Sequence, residues 1–376
     1  MYISKIKLTN FKNFSEQEFN LLNGFNFIVG PNGQGKSNVL DAIYNSCFAK
    51  SYLLIPDADL VKYETDFYRT EAMVQMQDSS KKVVVNYQKG KKKRIEYNGQ
   101  SILKYSSHIG HIVCVMIAPD EQKIVQGSSE ERRKLIDNAL SQIDATYLEK
   151  AIQYQKVLEQ RNALLKNREQ SDASTTNQLF DIYNKQLSEF AGYIFQKRKA
   201  FIEEISIYFQ EYYSAIVERN EAISFVYETD LHSELLYDIL QKCFEKDKIL
   251  EYTSKGIHKD DIKIVIQNNP LKKFASQGQQ KTFIIALKLA ICKYLYQRKK
   301  DKIILLIDDL FDKLDEIRSE ELLKLLLNKD FFTQVIFTDT NRKRIESILL
   351  KMQAEKYTKI KFFEINQLSV KEVDYN

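Results

Sequence analysis

The chain has 376 residues, of which 44% are hydrophobic and 28% are charged. This composition is typical of a globular protein and excludes a largely disordered chain or a fibrous repeat. No stretch approaches the roughly 18 uncharged apolar residues that span a bilayer, and the first residues lack a signal-peptide pattern, so we expect a cytoplasmic protein without a membrane partner. The 56 basic and 51 acidic residues give a net charge of only +5, so any nucleic-acid surface must be local.

The first hundred residues predict strands around one helix. An apolar run at 25–29 ends at Gly30, and apolar residues with helical spacing follow from Val39, which gives the order strand, loop, helix. Further β-type runs lie at 81–88, 94–97 and 111–117, with a hairpin turn at 89–91.

From about Asp120 to about Leu250 the pattern changes to helices, with a polar turn at 167–177 and one strand at 223–227. After Gly256, strands and helices alternate, which is typical of a parallel sheet. The strands are predicted at 262–266, 303–307 and 334–337, and the helices at 278–297 and up to 327. We therefore predict an α/β head made of residues 1–118 and 255–376, interrupted by a mostly helical arm of residues 119–254.

The segment GPNGQGKS at 30–37 matches the pattern GxxxxGK[ST] and lies between the predicted strand and helix. Its glycines let backbone N–H groups turn toward phosphate oxygens, at the positive end of the following helix. In such a loop Lys36 neutralises the β- and γ-phosphates and the Ser37 hydroxyl ligates Mg²⁺. The alternative is a chance match in a turn-rich loop. We predict nucleotide binding by Gly30, Asn32, Gly33, Gln34, Gly35, Lys36, Ser37 and Asn38.

Two adjacent acids, Asp308 and Asp309, directly follow the apolar run at 303–307. Two neighbouring carboxylates repel each other unless a cation is near, so the pair predicts a metal site at the end of a buried strand. Asp308 would hold Mg²⁺ directly or through water, and Asp309 would polarise the attacking water, which makes Asp309 and Lys36 the candidate catalytic residues. An exposed acidic cap is the alternative interpretation.

The segment 274–281 precedes a predicted helix and forms a second candidate phosphate site. Ser276 is a suitable N-cap, Gly278 permits close backbone approach, and Gln279 follows within the same turn. A plain helix cap explains the same residues, and the two interpretations stay open.

The order of these segments resembles that of ABC-type and SMC-type ATPases and, within them, the RecF family of bacterial DNA replication and repair proteins. The segments NFKNF at 10–14, GIHKDD at 256–261 and ASQGQQK at 275–281 carry the resemblance, which covers nearly the whole chain. It implies an ABC-type P-loop ATPase head with an inserted mostly helical arm. It further implies an ATP-dependent homodimer, in which Ser276, Gly278 and Gln279 complete the partner's site.

The same resemblance implies ATP and Mg²⁺ as cofactors, binding to DNA, and loading of recombinase at single-strand/double-strand junctions with RecR and RecO as partners. The usual switch histidine is absent, since Phe337 is followed by Thr338-Asp339-Thr340. A weak DNA-dependent ATPase is therefore implied, in which hydrolysis releases the dimer. The stretch 311–315 keeps only the Leu-Asp end of the family's SELD-like loop, which is consistent with a cross-dimer role for Asp315 and leaves that of Asp312 open.

Weaker patterns remain. Any basic cluster is most often a solvated face, yet the cluster at the 89–91 turn lies where a DNA backbone could run. We therefore propose DNA contacts for Lys91, Lys92, Lys93 and Arg94. His108, His111 and Cys114 have spacing that suggests a metal, but residues three apart on a strand face opposite sides. His258 is either a functional or a structural histidine.

Three alternative functions are considered. An ATP-driven transport subunit would need a coupling surface for a membrane partner, and the long charged insertion argues against it. A P-loop head joined to a nuclease would need a further domain, and only about forty residues follow Thr338. Another SMC-like P-loop ATPase is the third alternative.

Overall fold

The computed structural model describes residues 1–77, 79–167, 173–217, 222–310, 316–327 and 331–375. Its strands are β1 (Tyr2–Phe11), β2 (Phe14–Asn20), β3 (Phe25–Val29), β4 (Phe67–Gln75), β5 (Ser80–Gln88), β6 (Arg94–Tyr97), β7 (Gln100–Ser101), β8 (Cys114–Ile117), β9 (Ile223–Glu228), β10 (Asp261–Ile266), β11 (Asn269–Pro270), β12 (Ile303–Ile307), β13 (Phe332–Asp339), β14 (Ile360–Asn366) and β15 (Ser369–Asp374). Its α-helices are α1 (Lys36–Phe48), α2 (Gln122–Gln126), α3 (Ser129–Ile143), α4 (Ala145–Lys166), α5 (Ala173–Ile216), α6 (Leu236–Lys242), α7 (Phe244–Leu250), α8 (Leu271–Phe274), α9 (Gln277–Lys299), α10 (Glu316–Leu327) and α11 (Arg342–Lys351).

The chain divides into two compact units. The first contains Met1–Glu121, Ala215–Glu218 and Ile285–Asn376, and the second contains Gln122–Ser214 and Arg219–Ile284. Residues 255–284, which the sequence analysis placed with the head, therefore group with the helices. The reason is that β10 pairs with β9 in antiparallel register over its whole length.

The first unit contains two sheets that share one apolar core. The antiparallel sheet has the order β2-β1-β4-β5-β6-β7, and the second sheet has the order β15-β14-β3-β13-β12-β8. In the second sheet, only the β14–β15 pair is antiparallel. Every residue of β3 and β12 is buried, as expected for parallel strands covered on both faces. Helix α1 packs between the sheets, with Val39, Leu40 and Ile43 in the shared core.

One buried amide, Gln334 on β13, joins the two sheets. Its Oε1 accepts a hydrogen bond from the Ile3 N–H at 3.0 Å, and its Nε2 donates to the carbonyls of Ile3 at 2.8 Å and Leu22 at 2.9 Å. A buried amide is costly unless it is hydrogen-bonded, and here both ends are satisfied. Gln334 therefore fixes the antiparallel sheet against the parallel one.

The second unit is held together by buried arginines. Arg198 on α5 is 4% exposed and contacts both oxygens of Asp137 at 3.0 Å and Oδ2 of Asp260 at 3.3 Å. Arg132 on α3 makes a bidentate pair with Asp261, with N–O distances of 2.7 and 3.0 Å. These pairs tie the GIHKDD segment to the helices, and they explain further why residues 257–261 belong to this unit.

The elements inferred from the apolar patterns are confirmed at most positions. Strands β3, β6 and β12 have the predicted bounds. The polar turn predicted at 167–177 extends too far, because α5 already begins at Ala173. The run at 111–117 is shorter than predicted, because β8 begins only at Cys114. The residues after Thr338 form α11, β14 and β15, and β14 pairs in parallel with β3. In the described residues they complete the second sheet of the first unit and form no separate domain.

Within the described residues, no helix combines the length and the hydrophobicity that a membrane crossing requires.

We predict that Asp247→Ala lowers the free energy of unfolding by about 3–5 kcal/mol, because it leaves a buried arginine without its carboxylate. Arg161 Nη1 lies 2.8 Å from Asp247 Oδ2, and both side chains are 0% exposed. The measurement is urea unfolding followed by circular dichroism. The matched control is the double variant Arg161→Met with Asp247→Leu, which removes both charges and should regain most of the loss. A single variant as stable as the parent would refute the prediction.

Candidate functional site

The phosphate-loop motif at 30–37 forms the connection between β3 and α1. Gly30 has φ 155° and Gly35 has φ 92°, both in the region that favours glycine. A Cβ on Gly30 would collide with the Ile365 carbonyl oxygen, so β14 can lie against the loop only because residue 30 is glycine. The predicted strand, loop and helix are thus in the arrangement that places backbone N–H groups at a helix N-terminus.

The Lys36 side chain folds back over this loop. Its ammonium donates to the Gly30 carbonyl at 2.8 Å and to the Pro31 carbonyl at 3.0 Å, and the residue is 6% exposed. A buried ammonium bound only to neutral carbonyls gains far less than one bound to an anion. The loop therefore holds a cation at the place where the motif expects phosphate oxygens.

The acidic pair lies next to the loop, at the end of β12. The Ser37 hydroxyl donates to Asp308 Oδ1 at 2.8 Å, and the Thr338 hydroxyl donates to the same oxygen at 2.6 Å. The Asp308 side chain is buried, so the alternative of an exposed acidic cap is wrong for this residue. The Ser37 hydroxyl and the Asp308 carboxylate are thus adjacent oxygen ligands. Mg²⁺ prefers oxygen ligands, so these residues fit this ion.

The backbone at Asp309 is strained. Its φ is 46°, and its N–H donates to the Thr338 hydroxyl at 2.9 Å. A non-glycine residue in this region costs free energy and persists only where the surroundings hold it, which is common at functional sites. The Thr338 hydroxyl therefore orients both acids: it donates to the Asp308 carboxylate and accepts from the Asp309 N–H.

The turn between β1 and β2 supports the loop, although no role is predicted for it from the sequence. The side-chain oxygen Oδ1 of Asn13 accepts a hydrogen bond from the Asn38 side-chain amide at 2.8 Å, and the Asn13 side chain occupies the space where a Cβ on Gly35 would lie. Lys12 pairs with the buried Asp41 of α1 at 2.7 Å. The NFKNF segment at 10–14 was the sequence signal for this turn.

A buried ion pair between Glu121 and Lys288 lies at the end of β8, beside β12. The Lys288 ammonium also donates to the Met116 carbonyl at 2.8 Å, and the Tyr52 hydroxyl donates to Glu121. Burial, together with the Glu121 charge, raises the pKa of Tyr52 well above its usual value. No local sequence pattern predicts this group, because Tyr52 is 69 residues from Glu121 and Met116 is 172 residues from Lys288.

The second candidate phosphate segment, at the start of α9, belongs to the other unit. The Gln279 N–H donates to Ser276 Oγ at 3.2 Å, and the Ser276 N–H donates to Gln279 Oε1 at 2.7 Å, which is a reciprocal capping box. Gly278 lies in the first turn, and Ser276 is exposed. Ser276 is therefore a helix cap, and its exposure leaves the segment accessible to a ligand.

His108, His111 and His258 have structural contacts with tyrosines. His108 Nδ1 and the Tyr97 hydroxyl are 2.8 Å apart, and the His111 ring packs edge-on against Tyr97. His258 contacts the Tyr154 hydroxyl at 2.8 Å and the Thr253 carbonyl at 3.0 Å. No cluster of three His, Cys, Asp or Glu side chains that could hold a metal occurs in the part of the chain that the structure describes.

The four residues of the basic cluster at 91–94 differ in exposure. Lys91, Lys92 and Arg94 are exposed, whereas the Lys93 ammonium lies 2.7 Å from Asp57 Oδ2 and is 10% exposed. The segment 311–315, with the family-like Asp312 and Asp315, lies outside the described residues.

Known proteins are similar to this chain over nearly its whole length. The family model RecF/RecN/SMC N terminal domain matches residues 2–360. The DNA replication and repair protein RecF of Flavobacterium johnsoniae is 43% identical over 349 residues, which are 93% of this chain and 97% of that protein. A solved structure of the recombination mediator protein RecF with ATP, in the RecFOR pathway, is 27% identical with a TM-score of 0.88 and covers 99% of this chain and 97% of its own. The Smc head domain from Pyrococcus furiosus, at 17% identity and a TM-score of 0.57 over 99% of this chain and 96% of that one, shares the fold.

We predict that the free energy of unfolding falls as the pH is lowered from 6.5 toward 4. Burial lowers the pKa of His108 to about 4 and also that of His258 to about 4, whereas a histidine in the unfolded chain protonates near pH 6.5. The unfolded chain therefore binds more protons in this range, and each histidine contributes up to about 1.4 kcal/mol per pH unit.

The measurement is urea unfolding at a series of pH values. The control is His108→Gln, which keeps a partner for Tyr97 but cannot titrate, so its pH dependence should be shallower than that of the parent. An equal slope in both proteins would contradict the assignment.

Proposed function

The chain belongs to the RecF family, and from this premise we propose that it is an ATP-dependent DNA-binding protein of DNA replication and recombinational repair. The resemblance and the ABC-type ATPase fold inferred from the sequence are confirmed. We propose that the first unit is the ATPase head and that the second unit is its arm.

ATP binding is proposed at the phosphate loop. The backbone N–H groups of residues 32–37 would surround the phosphates, with Lys36 leaving its two carbonyl partners for the β- and γ-phosphate oxygens. The observation that carries this proposal is the 2.8 Å hydrogen bond between Ser37 and Asp308, because it joins the loop to the acid that such a site needs. Ser37 and Asp308 would hold Mg²⁺, which neutralises phosphate charge when bound.

Hydrolysis is proposed to be weak and DNA-dependent. Asp309 would accept the hydrogen bond of the attacking water, held in place by its N–H bond to Thr338. At the positions after Phe337, where a switch histidine would stand, Thr338 bonds to Asp308 and the Asp339 carboxylate pairs with Arg344 at 2.8 Å. The carboxylate at these positions is thus held by Arg344 and no histidine stands there, which supports slow turnover and a long-lived ATP state.

Dimerisation is proposed to follow from ATP binding. Ser276, Gly278 and Gln279 would meet the γ-phosphate that Lys36 of a second copy holds, so that each site contains residues of both subunits. The exposed cap at the N-terminus of a helix of 23 residues supports this role, because backbone N–H groups and the helix dipole both favour an anion there.

DNA is the proposed macromolecular partner, together with RecR and RecO, and the proposed task is the loading of recombinase at single-strand/double-strand junctions. The similarity to RecF of the RecFOR pathway supports this assignment. Work on chromosomal DNA would place the protein in the cytoplasm.

We predict that Lys36→Ala weakens ATP binding by about a hundredfold, because the phosphates lose their charged donor while the backbone donors remain. Titration with a fluorescent ATP analogue measures the affinity. Lys104→Ala, which removes an exposed lysine outside the loop and its supporting turn, serves as the comparison. Unchanged affinity in Lys36→Ala would show that the loop does not bind the nucleotide.

We predict that Asp309→Asn binds ATP as tightly as the parent but hydrolyses it about a hundredfold more slowly, because the metal ligand Asp308 remains while the proton acceptor is lost. Phosphate release and nucleotide affinity are measured on the same sample. Hydrolysis at the parent rate would exclude Asp309 as the residue that orients water.

We predict that Ser276→Arg keeps parent affinity for ATP but forms no ATP-dependent dimer, since a long side chain blocks closure on a second copy. If Ser276 were only a helix cap, its replacement would lower the free energy of unfolding by about 1 kcal/mol and leave dimerisation intact. Mixing Ser276→Arg with Lys36→Ala subunits restores one intact composite site per heterodimer, so dimers should reappear only in the mixture. Dimerisation of Ser276→Arg alone would reject the composite site.

A further inference from the structure

The hairpin between β5 and β6 carries cations that no acid neutralises. Lys91, Lys92 and Arg94 are exposed, and in the described part of the chain no carboxylate forms an ion pair with any of them. Lys93, between them in sequence, is instead held by Asp57. The structure therefore separates the four-residue basic cluster into three outward cations and one internal one.

Exposed aromatic rings surround this hairpin. A turn at 62–65 is attached to it, because the Lys89 ammonium donates to the Thr65 carbonyl at 2.9 Å and the Lys89 N–H donates to the Asp66 carbonyl at 2.8 Å. Tyr63 in that turn is 85% exposed. Phe67 pairs with Gln88 at the start of the hairpin and is 38% exposed.

A third ring, Tyr105, is 44% exposed and lies against Lys93, with its hydroxyl donating to the Lys93 carbonyl. One exposed aromatic residue needs no explanation, but three around a single basic hairpin form a patch. We name the patch of Lys91, Lys92, Arg94, Tyr63, Phe67 and Tyr105 the hairpin surface. Two exposed acids, Glu64 and Asp66, lie between Tyr63 and Phe67, and the exposed Lys89 adds a fourth cation to the three.

This combination matches nucleic acid better than protein. Protein interfaces are enriched in aromatic residues and arginine but depleted in lysine, whereas two of the three cations here are lysines. Phosphates are bound by Lys and Arg without regard to sequence, and bases that are not paired stack on exposed aromatic rings. Paired bases inside a duplex offer no free face to a tyrosine.

We propose that the hairpin surface binds DNA where a duplex ends in a single strand, with Lys91, Lys92 and Arg94 on the phosphates and Tyr63 stacked on the first unpaired base. This inference rests on the proposed DNA-binding function and names the residue that distinguishes a junction from a plain duplex. Lys93 contacts no phosphate in this arrangement.

The experiment compares a blunt duplex with the same duplex carrying a single-stranded overhang, using fluorescence anisotropy with the full chain and ATP. Tyr63→Ala should bind the overhang DNA about tenfold more weakly and the blunt duplex as the parent does. Tyr63→Phe should restore the preference, since the ring remains. The matched control is Tyr357→Ala, which removes a 65% exposed tyrosine of the same unit outside the hairpin surface and should change neither affinity.

A 2-aminopurine at the first unpaired position reports stacking directly, and its fluorescence should be quenched by the parent and by Tyr63→Phe but not by Tyr63→Ala. Removing Lys91, Lys92 and Arg94 together should flatten the salt dependence of binding to both DNAs, by about 0.9 in log–log slope per lost phosphate contact. Lys93→Ala should leave that slope unchanged.

Different results would contradict the proposed DNA binding and the proposed role of the hairpin surface. If the parent binds neither DNA, the DNA-binding function itself fails. If the parent binds both but Tyr63→Ala keeps the overhang preference and the quenching, only the inference is overturned. If the triple variant changes self-association and leaves the salt slope intact, the hairpin surface is a protein contact and the inference is also overturned.

Discussion

The hydrogen bonds of one buried carboxylate, Asp308, hold the candidate site together. Its side chain accepts from Ser37 at the start of α1 and from Thr338 on β13, and its N–H donates to the Ile117 carbonyl at the end of β8 at 2.8 Å. Segments 271 and 30 residues away from it along the chain thus meet at one oxygen atom. The all-apolar β12 makes this possible, because a strand buried on both faces places its last residue at a fixed point of the sheet edge.

In the second unit, several contacts hold the exposed start of helix α9 in place. Arg132 on α3 binds Asp261 at the start of β10, and the buried Arg198 on α5 binds Asp260 directly before it. From there the chain continues through β11 and α8 to Ser276, and a hydrogen bond of 2.9 Å between Gln126 and Gln280 fastens the first turn of α9 to α2. The segment proposed to meet a second copy therefore has little freedom within its own unit.

The sequence was informative where local pattern decides the structure. The apolar runs at 25–29 and 303–307, the phosphate-loop motif and the Asp308-Asp309 pair all depend on neighbours within a few residues. It was uninformative where long-range contacts decide. The basic triplet at 197–199 and the pair Arg132-Arg133 have the pattern of a solvated face, yet Arg132 and Arg198 are committed to internal carboxylates. The same limit concealed the role of Thr338 and the pairing of Lys93 with Asp57, since Thr338 is 29 residues from Asp309 and Lys93 is 36 residues from Asp57 along the chain.

The most direct test of the account is the mass of the unmodified chain in solution under four conditions: no nucleotide, ADP with Mg²⁺, ATP with Mg²⁺, and ATP with the metal chelated. Sedimentation velocity measures it without a label. We expect a monomer in every condition except ATP with Mg²⁺. There the dimer should form and then dissociate slowly into monomers as ATP is hydrolysed. A monomer that persists with ATP and Mg²⁺, or a dimer that ignores both, would contradict the claim that the nucleotide joins two copies.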